Sequence, residues 1–257
     1  MSVIVVKIGG STLGTHDTTL EDVVTLQRAG RQVVVVHGGG PQATAWLKLH
    51  GAGTQFVRGL RVTDAAALEV VVAVLAGLVN KQITAALNAL GGRAVGLSGA
   101  DGPTVLAEVR EPELGRVGAV WAVRTELLDA LLRTGYVPVL SSVGFDVAAP
   151  SPEIALLNIN ADTVAGEVAA ALGAERLVFL TDVPGVKDDA GAVRARLAPR
   201  EAEALVRAGV VSGGMIPKVE ACLRAARAGA ASVIVDGREP HALLAALNGA
   251  VTGTRIG

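Results

Sequence analysis

Two lysines that stand beside glycine pairs are the residues whose types and spacing could do chemistry. Lys7 opens the motif KIGGS at residues 7–11, directly after an apolar run, and Lys218 follows the motif SGGMIP at residues 212–217. The chain has five lysines against eighteen arginines, which indicates that these positions need a compact ammonium charge. Neighbouring glycines let the backbone approach a ligand and present N–H groups to an anion. The pattern favours a phosphate site, with a solvated lysine at a turn or helix start as the alternative.

A further glycine motif, HGGGP at residues 37–41, follows a second apolar run. Its proline is typical of the first turn of a helix, and a helix N-terminus behind a glycine loop is a ready anion site. Three glycines lose much conformational entropy on folding, so close approach by a ligand explains them better than a simple turn. We interpret His37 as a structural residue at a strand end, because no nucleophile or metal ligand accompanies it.

The motif NINAD at residues 158–162 supplies amides and a carboxylate. If this segment is extended, Asn158, Asn160 and Asp162 point to one side and can meet one ligand. The alternative interpretation makes Asp162 the N-cap of the following helix. Capping and catalysis are compatible here.

Other site chemistries lack their motifs. There is no Gly-Lys-Ser/Thr ending of a P-loop, and GAG at residues 51–53 lacks the third glycine of a dinucleotide fingerprint. Protein-kinase loops and His or Cys clusters for a metal are also missing from the sequence, so we expect no protein-held metal. The single cysteine, Cys222, is interpreted as a small buried hydrophobe.

Composition limits the partners. The chain has 257 residues, of which 51% are apolar and only 2% aromatic, so Val, Leu, Ile and Ala must build the core. Its net charge of −1, with no basic run, argues against binding of nucleic acid or an anionic membrane. The apolar run at residues 3–6 is too short for a signal peptide, and the one at residues 70–79 is too short to span a bilayer. We expect a cytoplasmic protein.

The elements that must position these motifs alternate between strands and helices. Strands are predicted at residues 3–6, 33–36, 93–97, 137–141, 177–180 and 232–235. Helices are predicted at residues 18–30 with a capping box from Thr18 to Glu21, and at 65–90, 126–134, 162–172, 199–208, 217–228 and 240–247. This alternation predicts a mainly parallel sheet covered by helices on both faces, a three-layer αβα sandwich.

Two lobes are predicted, residues 1–173 and residues 174–257, because the strand–helix pattern restarts after Gly173. No Ser- or Pro-rich linker separates them, so we expect one continuous sheet or tight packing between the lobes.

The ordered set of motifs resembles the acetylglutamate kinases of the amino acid kinase family. The likeness covers essentially the whole chain. It rests on the motifs KIGGS (7–11), HGGGPQ (37–42), GLRVTD (59–64), NINAD (158–162), LTDVPGV (180–186) and GGMIPK (213–218), with VGLSG (95–99) and the closing GTR (253–255). The segment AAPSPEIA at residues 148–155 departs from the short polar turn of that family. The resemblance implies the amino acid kinase fold, with acetylglutamate bound by the first lobe and MgATP by the second.

The resemblance also implies roles for particular residues. Lys7 and Lys218 would neutralise the moving phosphoryl group, and Asp162 would hold both lysines in place. The acetylglutamate site would comprise Gly39, Gly40, Arg61, Asn158 and Asn160, with Arg61 on the α-carboxylate. The ATP and phosphate site would comprise Gly9, Gly10, Thr181, Asp182, Val183, Pro184, Gly185, Val186, Lys187, Val210, Val211, Ser212 and Gly214.

The implied reaction is the ATP-dependent phosphorylation of the γ-carboxylate of N-acetyl-L-glutamate in arginine biosynthesis. Such a carboxylate is already ionised at neutral pH, with a pKa of about 4.3, so no general base is required. This agrees with motifs that supply cations and N–H groups but no catalytic histidine. We expect Mg²⁺ to be carried by ATP.

Two alternatives remain at this stage. One is the related kinase of lysine biosynthesis that acts on carrier-protein-linked aminoadipate, although the GGMIPK and NINAD motifs fit the acetylglutamate version better. The other is a non-catalytic, ligand-binding relic of the fold, which the joint presence of Lys7, Asp162 and Lys218 disfavours. A dehydrogenase is a distant third, because its fingerprint is missing.

The resemblance implies a homodimer, for which the apolar helix at residues 65–79 is a candidate interface, with burial of that helix inside the monomer as the alternative. Arginine-sensitive hexamers of the family carry an additional N-terminal helix, whereas the first strand is predicted here from Val3. We therefore expect a homodimer that arginine does not strongly inhibit.

Overall fold

The computed structural model describes residues 2–9, 18–57, 59–149, 151–152, 155–249 and 253–257. The strands are β1 (Val3–Ile8), β2 (Gln32–His37), β3 (Phe56–Val57), β4 (Leu60–Arg61), β5 (Ala94–Ser98), β6 (Val105–Val109), β7 (Gly118–Val123), β8 (Val137–Ser141), β9 (Val143–Asp146), β10 (Leu156–Asn158), β11 (Arg176–Thr181), β12 (Arg196–Leu197), β13 (Ala231–Asp236) and β14 (Gly253–Ile256). Part of the loop at residues 148–155 lies outside the described residues.

The α-helices are α1 (Thr19–Arg28), α2 (Gly40–Leu49), α3 (Ala65–Val72), α4 (Asn80–Ala89), α5 (Glu126–Arg133), α6 (Ala161–Ala171), α7 (Pro199–Arg207), α8 (Met215–Arg227) and α9 (Ala242–Leu247). A π-helical segment (Ala73–Val79) joins α3 to α4, and a 3₁₀ turn covers Pro112–Leu114. The predicted elements are all present, with ends shifted by up to about two residues.

An eight-stranded sheet forms the centre, in the order β12-β14-β13-β11-β1-β2-β8-β5. Every neighbouring pair is parallel except β13 with β14. β1 and β11 pair directly, so the sheet is continuous across residue 173, where the sequence analysis divides the lobes. The predicted mainly parallel sheet is confirmed.

Helices cover the two faces of this sheet and bury two apolar cores. One core joins alternate residues of β1 and β2, such as Val5 and Val34, to helices α5, α6 and α8. The other joins the intervening residues, such as Ile4 and Val35, to α1, α4 and α9. All six residues of β1 are buried, as expected for a strand covered on both sides. The three-layer αβα class is therefore confirmed.

A second sheet, in the order β10-β9-β6-β7, and a short hairpin of β3 and β4 were not predicted. Their strands have two to six residues, and several combine apolar with polar residues or glycine. Strand β7 (GAVWAV) does carry an apolar run, which the sequence analysis did not assign to a strand. The second sheet matters for the site because β10 leads directly into α6, which carries Asp162.

The helical stretch Ala65–Ala89 is long and apolar enough to cross a membrane by length and composition alone. In the fold, however, it packs on the sheet, and Val71, Leu75 and Ile83 belong to the second core. Burial in the core accounts for part of its apolar composition, since 39% of its apolar 18-residue window is buried.

Helix α1 begins as predicted after Thr18, but the predicted capping box is wrong. The Thr18 hydroxyl makes no cap hydrogen bond and accepts instead from the backbone N–H of His241, at 2.6 Å. The His241 ring also contacts Asp22, with Nδ1 and Oδ1 2.7 Å apart. A contact between α1 and the start of α9 thus replaces a local cap.

Helices α6 and α8 pack closely, and a glycine sets their separation. A Cβ atom placed on Gly166 would lie 2.8 Å from the Cα and Cβ atoms of Ala221 in α8. Neither atom can move away by side-chain rotation, because the Cα atom is part of the helix backbone and the Cβ atom is fixed to it. Because α6 carries Asp162 and α8 carries Lys218, this contact also sets the distance between those two side chains.

We predict that Gly166→Ala lowers the free energy of unfolding by about 1–3 kcal/mol through overpacking. Gly77 is the matched control, because nothing lies within 4 Å of its added Cβ and the position is helical. Gly77→Ala should be neutral or stabilising by up to about 1 kcal/mol. Urea denaturation of both variants checks this, and equal effects would refute the packing argument.

Candidate active site

The glycine motifs and the NINAD motif meet at the carboxyl edge of the central sheet, where β1 and β2 end. A cleft of about 210 Å³ lies there. Its walls include seven of the predicted site residues, namely Lys7, Gly39, Gly40, Arg61, Asn158, Asn160 and Asp162. Open parallel sheets bind ligands at this edge, at the point where strand order reverses, and β1 occupies that point with β2 on one side and β11 on the other.

One buried carboxylate holds both lysines. Asp162 Oδ1 lies 2.6 Å from Lys7 Nζ, and Asp162 Oδ2 lies 3.0 Å from Lys218 Nζ. Lys218 Nζ also donates to the Gly214 carbonyl oxygen at 3.1 Å. The side chain of Asp162 is 6% exposed, that of Lys7 9% and that of Lys218 17%. The group therefore carries one net positive charge in a largely dry setting.

Two opposing effects act on the Asp162 carboxyl group. Burial by itself would raise its pKa, because the charged form loses water. The charges and hydrogen bonds of Lys7 and Lys218 act against burial and leave the pKa below its ordinary value. Asp162 is thus a carboxylate at neutral pH and keeps both ammonium groups in place.

Asn160, and not Asp162, caps helix α6. The Asn160 side-chain oxygen accepts from the backbone N–H groups of Asp162 at 2.8 Å and Thr163 at 3.1 Å. The alternative interpretation of Asp162 as the N-cap is therefore wrong, because its carboxylate faces the two lysines. Strand β10 ends at Asn158 and Asp162 is the second residue of α6, so the three side chains do not form one continuous strand face although Asn160 is still extended.

Asn158 connects β10 to the segment that carries Arg61. Its side-chain nitrogen donates to the Thr63 hydroxyl at 3.0 Å, and that hydroxyl donates to the Arg61 carbonyl oxygen at 2.9 Å. Thr63 is fully buried, and Asn158 is 9% exposed. The amide thus fixes the wall of the cleft while it lines the cleft.

Arg61 reaches across the cleft to helix α2. Its Nη2 donates to the Gly40 carbonyl oxygen at 3.0 Å and to the Thr44 hydroxyl at 2.8 Å, and its guanidinium lies 4.8 Å from the centre of the Phe56 ring. Burial lowers its pKa from the ordinary arginine value. A guanidinium that donates two hydrogen bonds to one carboxylate always uses an Nη2 hydrogen. Both Nη2 hydrogens are already donated to Gly40 and Thr44, so a carboxylate bound this way must displace one of these acceptors.

The glycine loop is shaped by its neighbours. Gly39 has φ 153°, and a Cβ atom there would lie 2.7 Å from Leu75 Cδ2 in the π-helical segment, so a side chain is excluded. Gly39 is the N-cap of α2 and Gly40 its first residue, within the turn whose N–H groups lack intrahelical acceptors. The structure therefore supports the predicted anion-facing loop at Gly39 and Gly40.

His37 contacts this glycine loop and connects it to Asn80. Burial lowers the pKa of His37 to about 4, so the ring is neutral at pH 7. Its Nδ1 lies 2.7 Å from the Gly38 carbonyl oxygen, and its Nε2 lies 3.0 Å from the Asn80 side-chain nitrogen. The proton therefore resides on Nδ1, because the Asn80 amide is a donor. This geometry agrees with a structural residue at a strand end.

The first glycine motif is described only in part. The Gly9 N–H donates to the Leu180 carbonyl oxygen at 3.2 Å and so extends the pairing of β1 with β11. A phosphate contact by this N–H would require that bond to open. Gly10, the other member of the predicted pair, lies outside the described residues.

The predicted nucleotide residues lie at the same edge, beyond β11. Asp182, Pro184, Lys187 and Ser212 are exposed, whereas Gly185, Val186 and Val211 are buried. Their turn is held internally, since the Thr181 hydroxyl and the Val183 backbone contact each other and the Val186 N–H donates to Thr254 at 2.8 Å. Val183 and Val210 are half-buried, and Gly214 is the N-cap of α8. Buried side chains in this set can meet a nucleotide only through their backbone.

Several residues of the cleft were missed in the sequence analysis. They are apolar or small side chains that close its walls: Ala43, Phe56, Leu60, Val71, Leu75, Val117 and Ser142. Phe56 offered a signal, because it is one of only three phenylalanines in the chain. In the structure it is 55% exposed. Among the described residues there is no group of three or more His, Cys, Asp or Glu side chains that could hold a metal.

Comparisons with known proteins agree with this geometry. The profile of the amino acid kinase family matches residues 2–236. An acetylglutamate kinase from Dehalococcoides mccartyi (strain CBDB1) is 48% identical over 255 residues, 99% of this chain and 94% of that protein. The protein smu.665 from Streptococcus mutans UA159 superposes with a TM-score of 0.83 at 29% identity, covering 99% of this chain and 98% of that one. Carbamate kinase from Giardia lamblia, bound to AMP-PNP, shares the fold with a TM-score of 0.71 at 18% identity, covering 99% and 98% of the two chains.

We predict that Asp162→Asn lowers the free energy of unfolding at pH 7 by about 3 kcal/mol or more, because two buried ammonium groups lose their counter-charge. The depressed pKa makes this stabilisation complete above the unfolded-state pKa of about 3.9 and lost as the pH falls through the folded-state value. Urea denaturation from pH 7 to pH 3 should show a constant difference from wild type above about pH 5 that narrows below about pH 4.

Asp101→Asn is the control, since Asp101 is exposed and its carboxylate accepts only from the N–H and the hydroxyl of Ser98 among the described residues. A difference for Asp162→Asn that is no larger than for Asp101→Asn would contradict a buried charge group.

Proposed function

The chain belongs to the amino acid kinase family, and we propose that it is an ATP-dependent kinase that phosphorylates the γ-carboxylate of N-acetyl-L-glutamate. The product, N-acetylglutamyl 5-phosphate, is an acyl phosphate, and the reaction is the second step of arginine biosynthesis. The single observation that carries the proposal is the pair of lysines held on one buried carboxylate at the end of the cleft.

The charge balance of that group suits phosphoryl transfer. Lys7 and Lys218 bring two positive charges and Asp162 removes one, so one positive charge is left for the ligand. Charge on the transferred phosphoryl oxygens is stabilised most strongly by fixed cations in a site that excludes water. Lys7 and Lys218 act in this way, and Asp162 positions them. The same group would have no use in a site for a neutral ligand.

The substrate-binding part is proposed in the first lobe, residues 1–173. Gly39 and Gly40 would donate N–H groups to the phosphoryl group and the reacting carboxylate. Arg61 would bind the α-carboxylate after exchanging a contact with Gly40 or Thr44, and Asn158 would assist it. Asn160 keeps its capping role and contributes through its remaining N–H donors.

The transfer itself requires no proton movement. A γ-carboxylate oxygen forms the bond to the γ-phosphorus while the bond from that phosphorus to the β,γ-bridging oxygen breaks, and ADP departs with the electron pair. A carboxylate with a pKa of about 4.3 needs no base at pH 7. Among the described residues that line the cleft, Asp162 is the one carboxylate and it is held by both lysines, while neutral His37 is buried and does not line the cleft. Rate acceleration then comes from alignment and charge stabilisation.

The nucleotide is proposed in the second lobe, residues 174–257, on the loops that follow β11 and α7. Thr181 to Lys187, Val210 to Ser212 and Gly214 would line it. Mg²⁺ bound to the ATP phosphates would neutralise part of their charge, and the described residues offer no carboxylate cluster to hold it separately. We place the enzyme in the cytoplasm and propose a homodimer, in which the apolar helix at residues 65–79 is the candidate contact.

A coupled ADP-release assay tests the proposal. Purified protein is given MgATP and, separately, acetylglutamate, aminoadipate, glutamate or carbamate. We expect turnover with acetylglutamate to exceed the others clearly. Preference for aminoadipate would favour the lysine-biosynthesis kinase, and ATP binding without ADP release for any acceptor would favour a non-catalytic relic of the fold.

We predict that Lys7→Ala and Lys218→Ala each lower kcat by a factor of roughly 10³ or more, because each removes a charge that acts in the transition state. Lys48→Ala is the control, since Lys48 is exposed on α2, and should retain wild-type turnover. Circular dichroism verifies that the variants fold. Folded Lys7→Ala or Lys218→Ala protein with near-normal kcat would refute the assignment.

For Arg61→Ala we predict a KM for acetylglutamate raised by roughly 10- to 100-fold, with the KM for ATP little changed. Thr44→Val is the matched control, because it removes the hydroxyl that accepts from Arg61 and leaves the guanidinium in place. Its KM for acetylglutamate should stay near wild type. If the two variants show the same KM, Arg61 acts only as a brace for α2.

A further inference from the structure

The closing motif GTR at residues 253–255 is not used by the proposed active site. Two of its residues have structural roles. The Thr254 hydroxyl accepts from the Val186 N–H, and Gly253 has no room for a side chain because a Cβ atom there would overlap the Ile234 carbonyl oxygen. Arg255 is different. Its side chain lines a cavity of about 410 Å³ at the other end of the sheet, next to the first residues of β11 and β13.

Strand register brings two arginines side by side in that cavity. Arg255 of β14 pairs directly with Arg196 of β12, so both side chains lie on one face of the sheet. Arg176, the first residue of β11, also lines the cavity. Like charges on directly paired residues of neighbouring strands destabilise a sheet. Three arginines in one cavity therefore call for a counter-charge.

The described residues supply that counter-charge only in part. The Glu175 carboxylate acts on the neighbouring Arg176 but forms its ion pair with Arg31, at 3.0 Å, and Glu201, in the first turn of α7, accepts from the Ala198 N–H and faces Arg194 at 3.7 Å. No ion pair within 4.0 Å joins Arg176, Arg196 or Arg255 to a carboxylate of the described residues.

A buried hydrogen-bond donor of Arg255 also indicates that a partner is missing from this cavity. The Nε atom of Arg255 is buried and has no hydrogen-bond partner among the described residues. A buried donor left without an acceptor is costly and is normally met by a partner or a ligand.

We propose that Arg176, Arg196 and Arg255 form a second binding site, for a small oxyanion with two or more negative charges, such as phosphate. Guanidinium groups bind phosphate oxygens in pairs of parallel hydrogen bonds, and such an anion would offset the repulsion between Arg196 and Arg255. The site lies at the amino ends of the strands, whereas the phosphoryl-transfer residues lie at their carboxyl ends. It is therefore separate from the active site.

Isothermal titration calorimetry with inorganic phosphate, at fixed ionic strength, tests the proposal. Wild type, Arg196→Met, Arg255→Met and Lys218→Met are compared, since methionine keeps an apolar stem of similar length. Arg200→Met, at an exposed arginine of α7 that does not line the cavity, is the matched control. Sulfate in a parallel titration separates recognition of any divalent oxyanion from recognition of phosphate alone.

We expect one phosphate site that persists in Lys218→Met and Arg200→Met and is weakened roughly tenfold or more in Arg196→Met and Arg255→Met. Phosphate should raise the unfolding temperature of wild type but not of Arg196→Met, whose unfolding temperature without phosphate should equal or exceed that of wild type. Turnover of Arg196→Met should be unchanged. Undiminished phosphate affinity in both cavity variants, or binding that disappears only in Lys218→Met, would overturn the proposal.

Discussion

The buried carboxylate of Asp162 is the interaction on which the rest of the structure depends. Two ammonium groups in a largely dry cleft would each lose several kcal/mol of hydration, and one carboxylate between them repays part of that loss. The arrangement works only if β1, α6 and α8 keep their separations. The continuous sheet fixes the end of β1, and the Gly166 contact fixes α6 against α8. Packing distant from the cleft therefore sets its electrostatics.

A second constraint is steric and acts on the glycine loop. The Leu75 side chain, from the π-helical segment, occupies the space where a Gly39 side chain would be, and Asn80 at the end of that segment holds the His37 ring. A π-helical segment is a costly local choice that often accompanies a functional site. Here the π-helical segment and its end supply both the Leu75 contact to Gly39 and the Asn80 contact to His37. The loop is thus shaped before any ligand arrives, which reduces the ordering that binding would require.

Sequence patterns predicted the elements with strong periodicity and the residues with unusual chemistry. Apolar runs such as β2 located the central strands, and the scarcity of lysine singled out Lys7 and Lys218. The β3–β4 hairpin was missed because its strands have two residues each, and three strands of the second sheet mix apolar with polar residues. The apolar strand β7 was missed as well, although its pattern could have announced it. Sequence patterns also could not show which of several possible partners a hydrogen-bonding side chain would choose. The Thr18 hydroxyl accepts from His241 and does not cap its own helix, and Asn160 takes the capping role considered for Asp162.

Positive side chains are concentrated at both ends of the central sheet, but the two ends differ in where the counter-charge comes from. At the carboxyl ends, Asp162 offsets the two lysines in part and leaves a single positive charge, which is enough to attract a phosphoryl group without holding it permanently. At the amino ends, Arg196 and Arg255 are paired by register, and no described carboxylate lies within ion-pair distance of them. Charge of one sign cannot be concentrated in a fold without a counter-charge from the chain or from solution. A transfer site must release its ligand and so needs the internal partner, whereas a site that only binds does not.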